Sequence, residues 1–350
     1  MADDTMFQSL LNSVAQLNKA YVSEYISGTQ LNYLAVVIAL FGLCVLFLYY
    51  IFTSENEKTK NETKNETKNV VTSEGQKIKD EMLSEIRNLF QNYSRTNGQQ
   101  EQSLVSKQSP LDITPLITAF DQKIANKYFS FDYDNFNYSA KNLNGLSIIP
   151  ADTSNFPYFE CGVFPDKHFQ LEKILFHWGS RQNNGSHHFI DNEGFAGEIQ
   201  FIHRNTTFSS MMQALKYPGD PGALFISVLL QQGTEDNPAL EPLMDVLTQV
   251  EYPGTESSRL KNFKPSQLIP ADRNEFWLYD GSETTEPFRE TVKWILLHAK
   301  LSISLSQLQK LRELRKTRKD HELQRLLLSN RDIQPVNGRI VKSSFLWKGL

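Results

Sequence analysis

Cysteine is nearly absent: the 350 residues hold two, Cys44 and Cys161. Cys44 lies in an apolar run and Cys161 in the globular part, which excludes an intrachain disulfide framework. A domain as large as 106–350 buries enough apolar surface to stand without one, so a secreted, oxidising setting is weakened but not excluded. Charge of one sign is lacking too. A net charge of −4 and a pI near 6.0 give no global reason to bind nucleic acid, which drops out as a partner. Residues 1–30 contain no arginine, which speaks against an amphipathic mitochondrial presequence. Histidine is sparse at seven residues, yet His177, His187, His188 and His203 all fall within 173–205.

What is plentiful is apolar and aromatic. Residues 34–52 form 19 uncharged positions, LAVVIALFGLCVLFLYYIF, which as a helix span about 28 Å, the thickness of a bilayer core. Tyr49 and Tyr50 stand where an interfacial belt falls. A single transmembrane helix is expected over 31–53, preceded by an amphipathic segment 1–30. The flanking lysines and glutamates are interleaved, so loop charge does not fix the orientation. Six Asn-x-Ser/Thr sequons, at Asn61, Asn65, Asn92, Asn137, Asn184 and Asn205, favour a lumenal or extracellular domain.

Residues 54–105 read as a polar tether and stalk. KNETKNETKN at 60–69 cannot bury anything. Ile78, Met82, Ile86, Leu89 and Phe90 then follow a helical period, and RTNGQQEQS breaks it.

From 106 onward the pattern changes to short apolar runs punctuated by Gly and Pro, with 23 Phe in the chain. Residues 173–178 and 198–204 read as two strands joined by a Gly-rich polar loop. Residues 223–230 and 291–297 are further strands, and 238–250 and 304–328 are helical in period. A mainly β domain with peripheral helices follows. Along strands of this kind Leu175 and His177 share one face, as do Glu198 and Gln200 on the next. The stretch 308–328 is rich in Arg and Lys. Arg312, Arg315, Lys316, Arg318 and Lys319 form a candidate surface for anionic lipid or an acidic partner, against the plainer reading of a solvated helix face.

The wording resembles a family. FHWGS at 176–180, GSxH at 185–188 and a Glu-x-x-x-x-His-x-Asn strand at 198–205 are similar to the α-type carbonic anhydrases. So are QSPLDI at 108–113, SQLIP at 266–270, FWLYDGSETTEPFRETVKWILL at 276–297, ISLSQLQKLREL at 303–314 and SNRDIQPVNGRIVKSSF at 329–345. The resemblance implies a large twisted, mostly antiparallel sheet with its site in a conical cleft, here behind a transmembrane helix. It also implies a catalytic zinc on three histidines, a ligand set that also serves as a standard example of a catalytic zinc site.

Carried across residue by residue, the zinc positions fall on Leu175, His177 and Gln200. Leucine has no lone pair and an amide is a feeble zinc ligand, so zinc is expected to be absent. The surrounding shell falls on His187, His188, Glu198 and Thr284, the proton shuttle on Leu146, and an apolar pocket wall on Glu283. Ligands, shuttle and pocket have all changed. The resemblance is therefore to the inactive carbonic-anhydrase-related proteins, which act through contacts, and no catalytic residue is expected. This reading makes the chain a membrane-anchored subunit of a larger complex, or alternatively a receptor or adhesion ectodomain. A third reading is a zinc-dependent carbonate dehydratase with an atypical ligand set. The membrane is that of the secretory pathway and cell surface or, alternatively, the mitochondrial inner membrane.

Overall fold

Alternation of large apolar side chains on both faces of the same strands requires a sheet covered on each side, and that is what the chain builds. The computed structural model describes residues 106–143, 145–151, 155–217, 221–322, 324–326 and 331–347. The amphipathic segment 1–30, the apolar run 34–52 and the tether and stalk 54–105 lie outside the described residues. Among the described residues no helix is long and apolar enough to cross a membrane.

The central strands are β5 (Leu146–Pro150), β7 (Phe169–Trp178), β9 (Gly197–Asn205), β10 (Ala223–Gly233), β13 (Val292–Leu297) and β12 (Phe276–Gly281), neighbours in that order within a 13-stranded sheet. One edge ends in β4 (Tyr138–Asn142) and β11 (Glu256–Arg259), the other in β15 (Val341–Ser343) and β2 (Thr118–Phe120). The sheet is mixed. Most pairs are antiparallel, while β10 runs parallel to β13 and β15 parallel to β2.

Strand parity sorts the side chains into two cores. Ile174, Phe176, Ile199, Phe201, Leu224 and Ile226 pack on one face. Ile202, Phe225, Trp294, Leu296 and Trp277 pack on the other, with the half-buried Leu175 against them. The second face carries the candidate site.

Among the described residues the α-helices are few and short: α1 (Met211–Ala214), α2 (Glu241–Met244) and α3 (Leu305–Arg312). Ser304 caps α3 through a capping box with Gln307. The helical period expected over 304–328 stops at Arg312. Beyond it the chain folds back on itself, with Leu326 N–H donating to Leu314 O at 2.7 Å and Lys316 N–H to Gln324 O at 2.8 Å. Backbone pairing with 324–326 takes up the groups that a longer helix would have used internally.

This turn changes the basic stretch as well. Arg312 donates to Gly179 O at 2.7 Å and Arg315 is paired with Glu251, so two of the five basic residues point into the domain. Lys316, Arg318 and Lys319 stay exposed. Of the described sequons, Asn205 is 1% exposed, and its amide donates to Pro221 O at 3.1 Å. The folded domain does not present it for glycosylation.

Phe201 is fully buried and stacks on Tyr133 with ring centroids 5.9 Å apart. Truncating it leaves a large void, so Phe201→Ala is expected to cost about 3–5 kcal/mol. All four tryptophans lie within 106–350, so urea unfolding of the intact chain followed by their fluorescence reads this domain.

Candidate functional site

The site lies where β5, β7, β9 and β10 run side by side. Across them Ser147, Leu175, Gln200 and Ser227 stand in register, and His177 faces Glu198 one step along. The expected parity holds: Leu175 and His177 share the face that Glu198 and Gln200 present. Leu146 does not. It pairs with Phe176, is 1% exposed and packs in the opposite core, so the position assigned to a proton shuttle does not face the cleft. Ser147 faces Leu175 in its place.

Glu198 has no exposed surface, and its carboxylate accepts four hydrogen bonds. The backbone N–H groups of His187 and His188 donate to Oε2 at 2.9 and 2.8 Å. His188 Nδ1 and Gln200 Nε2 donate to Oε1, each at 2.9 Å. Burial alone pushes the carboxyl pKa up, but the charge and hydrogen bonds of His188, with His187, more than offset this and hold Glu198 well below the usual carboxylate range.

Gln200 is used at each of its polar atoms. Its Oε1 accepts from Thr284 Oγ1 at 3.0 Å, and its Nε2 also donates to His187 Nδ1 at 2.9 Å. His187 Nδ1 is thereby an acceptor, which places that ring's proton on Nε2. The His187 ring lies 4.1 Å from that of His177, tilted by 35°. On the far side, His188 Nε2 sits 2.6 Å from the Tyr279 hydroxyl, which sits 3.0 Å from Ser109 Oγ. An unbroken chain of hydrogen bonds thus runs from Thr284 through Gln200, Glu198 and His188 to Tyr279 and Ser109.

Three further residues lie on this face of the sheet or in the loop beside it. Phe225 lies two positions before Ser227 on β10, is 4% exposed and packs edge-on against Trp294 at 5.2 Å. Arg289 clasps Glu283, with Nε 2.8 Å from Oε2 and Nη2 donating to Oε1 at 3.1 Å. Glu283 therefore does not offer a bare carboxylate to the pocket; it is neutralised by a neighbour across its own loop. Lys173 shares the face of Leu175, and burial lowers its pKa, with Glu283 and Glu172 opposing the shift. The pairing of Glu283 with Arg289 has a sequence signal, opposite charges six apart around Pro287. Phe225 has none, because it stands inside a uniformly apolar run.

A mixed 13-stranded sheet whose middle strands carry Leu175, Gln200 and Ser227 in register beside a buried Glu–His–Tyr chain defines a domain of the α-carbonic-anhydrase type. The chain belongs to the eukaryotic-type carbonic anhydrase family, whose model matches residues 91–345. It is 30% identical over 265 residues to carbonic anhydrase 1 of Monodelphis domestica, covering 74% of this chain and 99% of that protein. It is 31% identical over 238 residues to carbonic anhydrase 3 of Bos taurus, covering 68% and 89%. With carbonic anhydrase 3 of Sus scrofa it shares 35% over 177 residues, which are 51% of this chain and 66% of that protein.

The residues present do not fit the zinc that this fold implies. Of the three ligand positions, Leu175 has no donor atom, and the Gln200 amide is committed to Thr284, Glu198 and His187. His177 alone keeps an imidazole.

Because folding lowers the Glu198 pKa, the ionised carboxylate contributes stability that is fully present above its ordinary value of 4.5. That contribution is lost as pH falls toward the folded value. Glu198→Gln is expected to cost about 3–5 kcal/mol at pH 7, since it leaves buried donors facing an amide N–H₂. Urea unfolding measured from pH 7 down to pH 3 should show the wild type and variant converging in stability.

Proposed function

We propose that this chain is a carbonic-anhydrase-like pseudoenzyme: a membrane-anchored domain with a structural or protein-binding role, held by 34–52 and working as a subunit of a larger membrane complex. The observation that carries the reading is Gln200, whose amide closes the polar row internally by bonding Thr284, Glu198 and His187 at 2.9–3.0 Å. An amide so engaged leaves its lone pairs and protons no call for a metal, and Leu175 fills the adjacent position with hydrocarbon. If a structural zinc site is worth roughly 10–16 kcal/mol, loss of two of three ligands removes much of that binding. The clasped Glu283–Arg289 pair supports the same reading, because a dry apolar pocket for a small neutral substrate calls for no ion pair.

The resemblance to the inactive carbonic-anhydrase-related proteins belongs to this proposal, as do the anchor and its compartment. The buried Asn205 takes one sequon from the lumenal case, and the sparse cysteines leave the mitochondrial inner membrane open beside the secretory pathway. The exposed Lys316, Arg318 and Lys319 are the surface offered to anionic headgroups or an acidic subunit.

The test is metal analysis and CO₂ hydration on the detergent-purified chain, with mass spectrometry of what accompanies it. Zinc below ~0.1 per chain, no hydration above background and stoichiometric companion subunits are expected. About one zinc per chain with sulfonamide-sensitive hydration would return the domain to the enzymes.

A gain-of-function arm makes the same point. Leu175→His together with Gln200→His restores an all-imidazole set. It is expected to tighten zinc binding at least 100-fold over wild type, with each single change giving far less, as read by competition with a chromogenic chelator.

A further inference from the structure

The antiparallel pair β3 (Phe129–Asp132) and β6 (Tyr158–Cys161) carries a polar face that the row around Gln200 does not use. Side chains alternate along both strands. Phe129, Phe131, Phe159 and Cys161 pack into the inner core, while Ser130, Asp132 and Tyr158 are exposed and Glu160 half-buried. Register sets Ser130 opposite Glu160 and Asp132 opposite Tyr158. His168 and Thr206 complete the rim, joined by Thr206 N–H donating to His168 O at 3.0 Å. These six residues line a cavity of about 480 Å³. Small-molecule sites run from ~300 to ~1,000 Å³.

The lining narrows the ligand. Among the described residues it offers no Lys or Arg for a phosphate or sulfate and no aliphatic side chain for a lipid tail. Glu160 is committed to His168 Nδ1 at 2.6 Å. The Ser130, Tyr158 and Thr206 hydroxyls and the Asp132 carboxylate have no hydrogen-bond partner among the described residues. Hydroxyls that both donate and accept, beside one acceptor carboxylate, match a ligand that is itself rich in hydroxyls.

An aromatic platform adjoins the cavity. Tyr128, one residue before β3, is 57% exposed, and its carbonyl accepts from Gly162 N–H at 3.0 Å. A Cβ at Gly162 would meet the Tyr128 ring at 3.1 and 3.2 Å, so the ring is seated on bare backbone. Tyr128, Ser130 and Asp132 follow one another on one side of the strand, and Tyr158 stands opposite Asp132. A ring therefore marks each end of a strip about 13 Å long. Such amphipathic rings stack on the C–H faces of pyranoses while polar groups bond the hydroxyls at the edges.

We propose that the cavity between β3 and β6 binds a short neutral oligosaccharide. Tyr128 and Tyr158 stack on its rings, the Asp132 carboxylate accepts from its hydroxyls, and Ser130 and Thr206 bond its remaining edge. The site lies on strands outside the row of Leu175 and Gln200, so it stands or falls independently of whether zinc is held there.

The test presents the full chain, in phosphatidylcholine nanodiscs, to immobilised neutral trisaccharides of gluco, manno, galacto and N-acetylglucosamine type. A heparin fragment and a Lys-rich peptide serve as charged comparators. Saturable binding of at least one neutral trisaccharide and of neither charged probe is expected. Tyr128→Ala and Tyr158→Ala are each expected to weaken it about tenfold, and Lys316→Ala to leave it unchanged. Both tyrosines are exposed, so urea midpoints followed by tryptophan fluorescence should match the wild type and separate lost binding from lost fold. In the wild type, the bound trisaccharide is expected to slow amide exchange at 128–132 and 158–162 and not at 198–203. Binding of none of the trisaccharides, preference for either charged probe, unchanged affinity in both tyrosine variants, or unchanged exchange at 128–132 and 158–162 would each overturn the proposal.

Discussion

A carboxylate sealed from water must be fully hydrogen-bonded or it breaks the fold around it, and Glu198 sets that condition for the whole centre of this sheet. Its two oxygens order the turn at His187 and His188 through backbone donors. They fix the His188 ring, and through it Tyr279 and Ser109 at the start of the domain. The same carboxylate demands a donor from position 200. A glutamine meets that demand and has an oxygen left for Thr284. The polar row can thus close on itself with no ion at its middle.

The two faces of the sheet respond differently to this. Behind it the aromatic and aliphatic core of Phe176, Phe201 and Leu224 carries stability and takes no part in the cleft. In front, the apolar cluster of Ile202, Phe225 and Trp294 extends to Leu175, joining the middle of β7 to the hydrophobic core. The loop after β12 is held by the Glu283–Arg289 pair, and Arg289 Nη1 also reaches Met212 Sδ at 3.3 Å. Cys161, fully buried and with its thiol pushed up to about 11 by desolvation, contributes packing and no redox chemistry.

The sheet and the parity of its site strands were legible in the sequence because alternation on β7 and β9 leaves one possible face for each residue. Leu146 was not. Its side depends on the register of β5 against β7, which a local motif does not encode. The run 304–328 carried a helical period throughout, yet tertiary pairing of 314–316 with 324–326 ended the helix at Arg312. Glu283 was visible as a charge in an apolar position, while its partner depended on how a loop closes. Sequence spacing therefore placed Leu175, His177 and Gln200 on neighbouring strands, and packing decided what each of them meets.

The way Gln200 is bonded also bears on how the site tolerates change. An amide that simultaneously satisfies a hydroxyl, a carboxylate and an imidazole is defended by all three, so replacing it alone strands the Thr284 hydroxyl even if an imidazole keeps the bond to Glu198. With Leu175 set against the apolar cluster beside it, a polar residue at either position alone would meet neighbours arranged for the present pair. Such a site behaves as a ratchet: each side chain is held in place by the others, so a change at any one position is opposed by all of its neighbours.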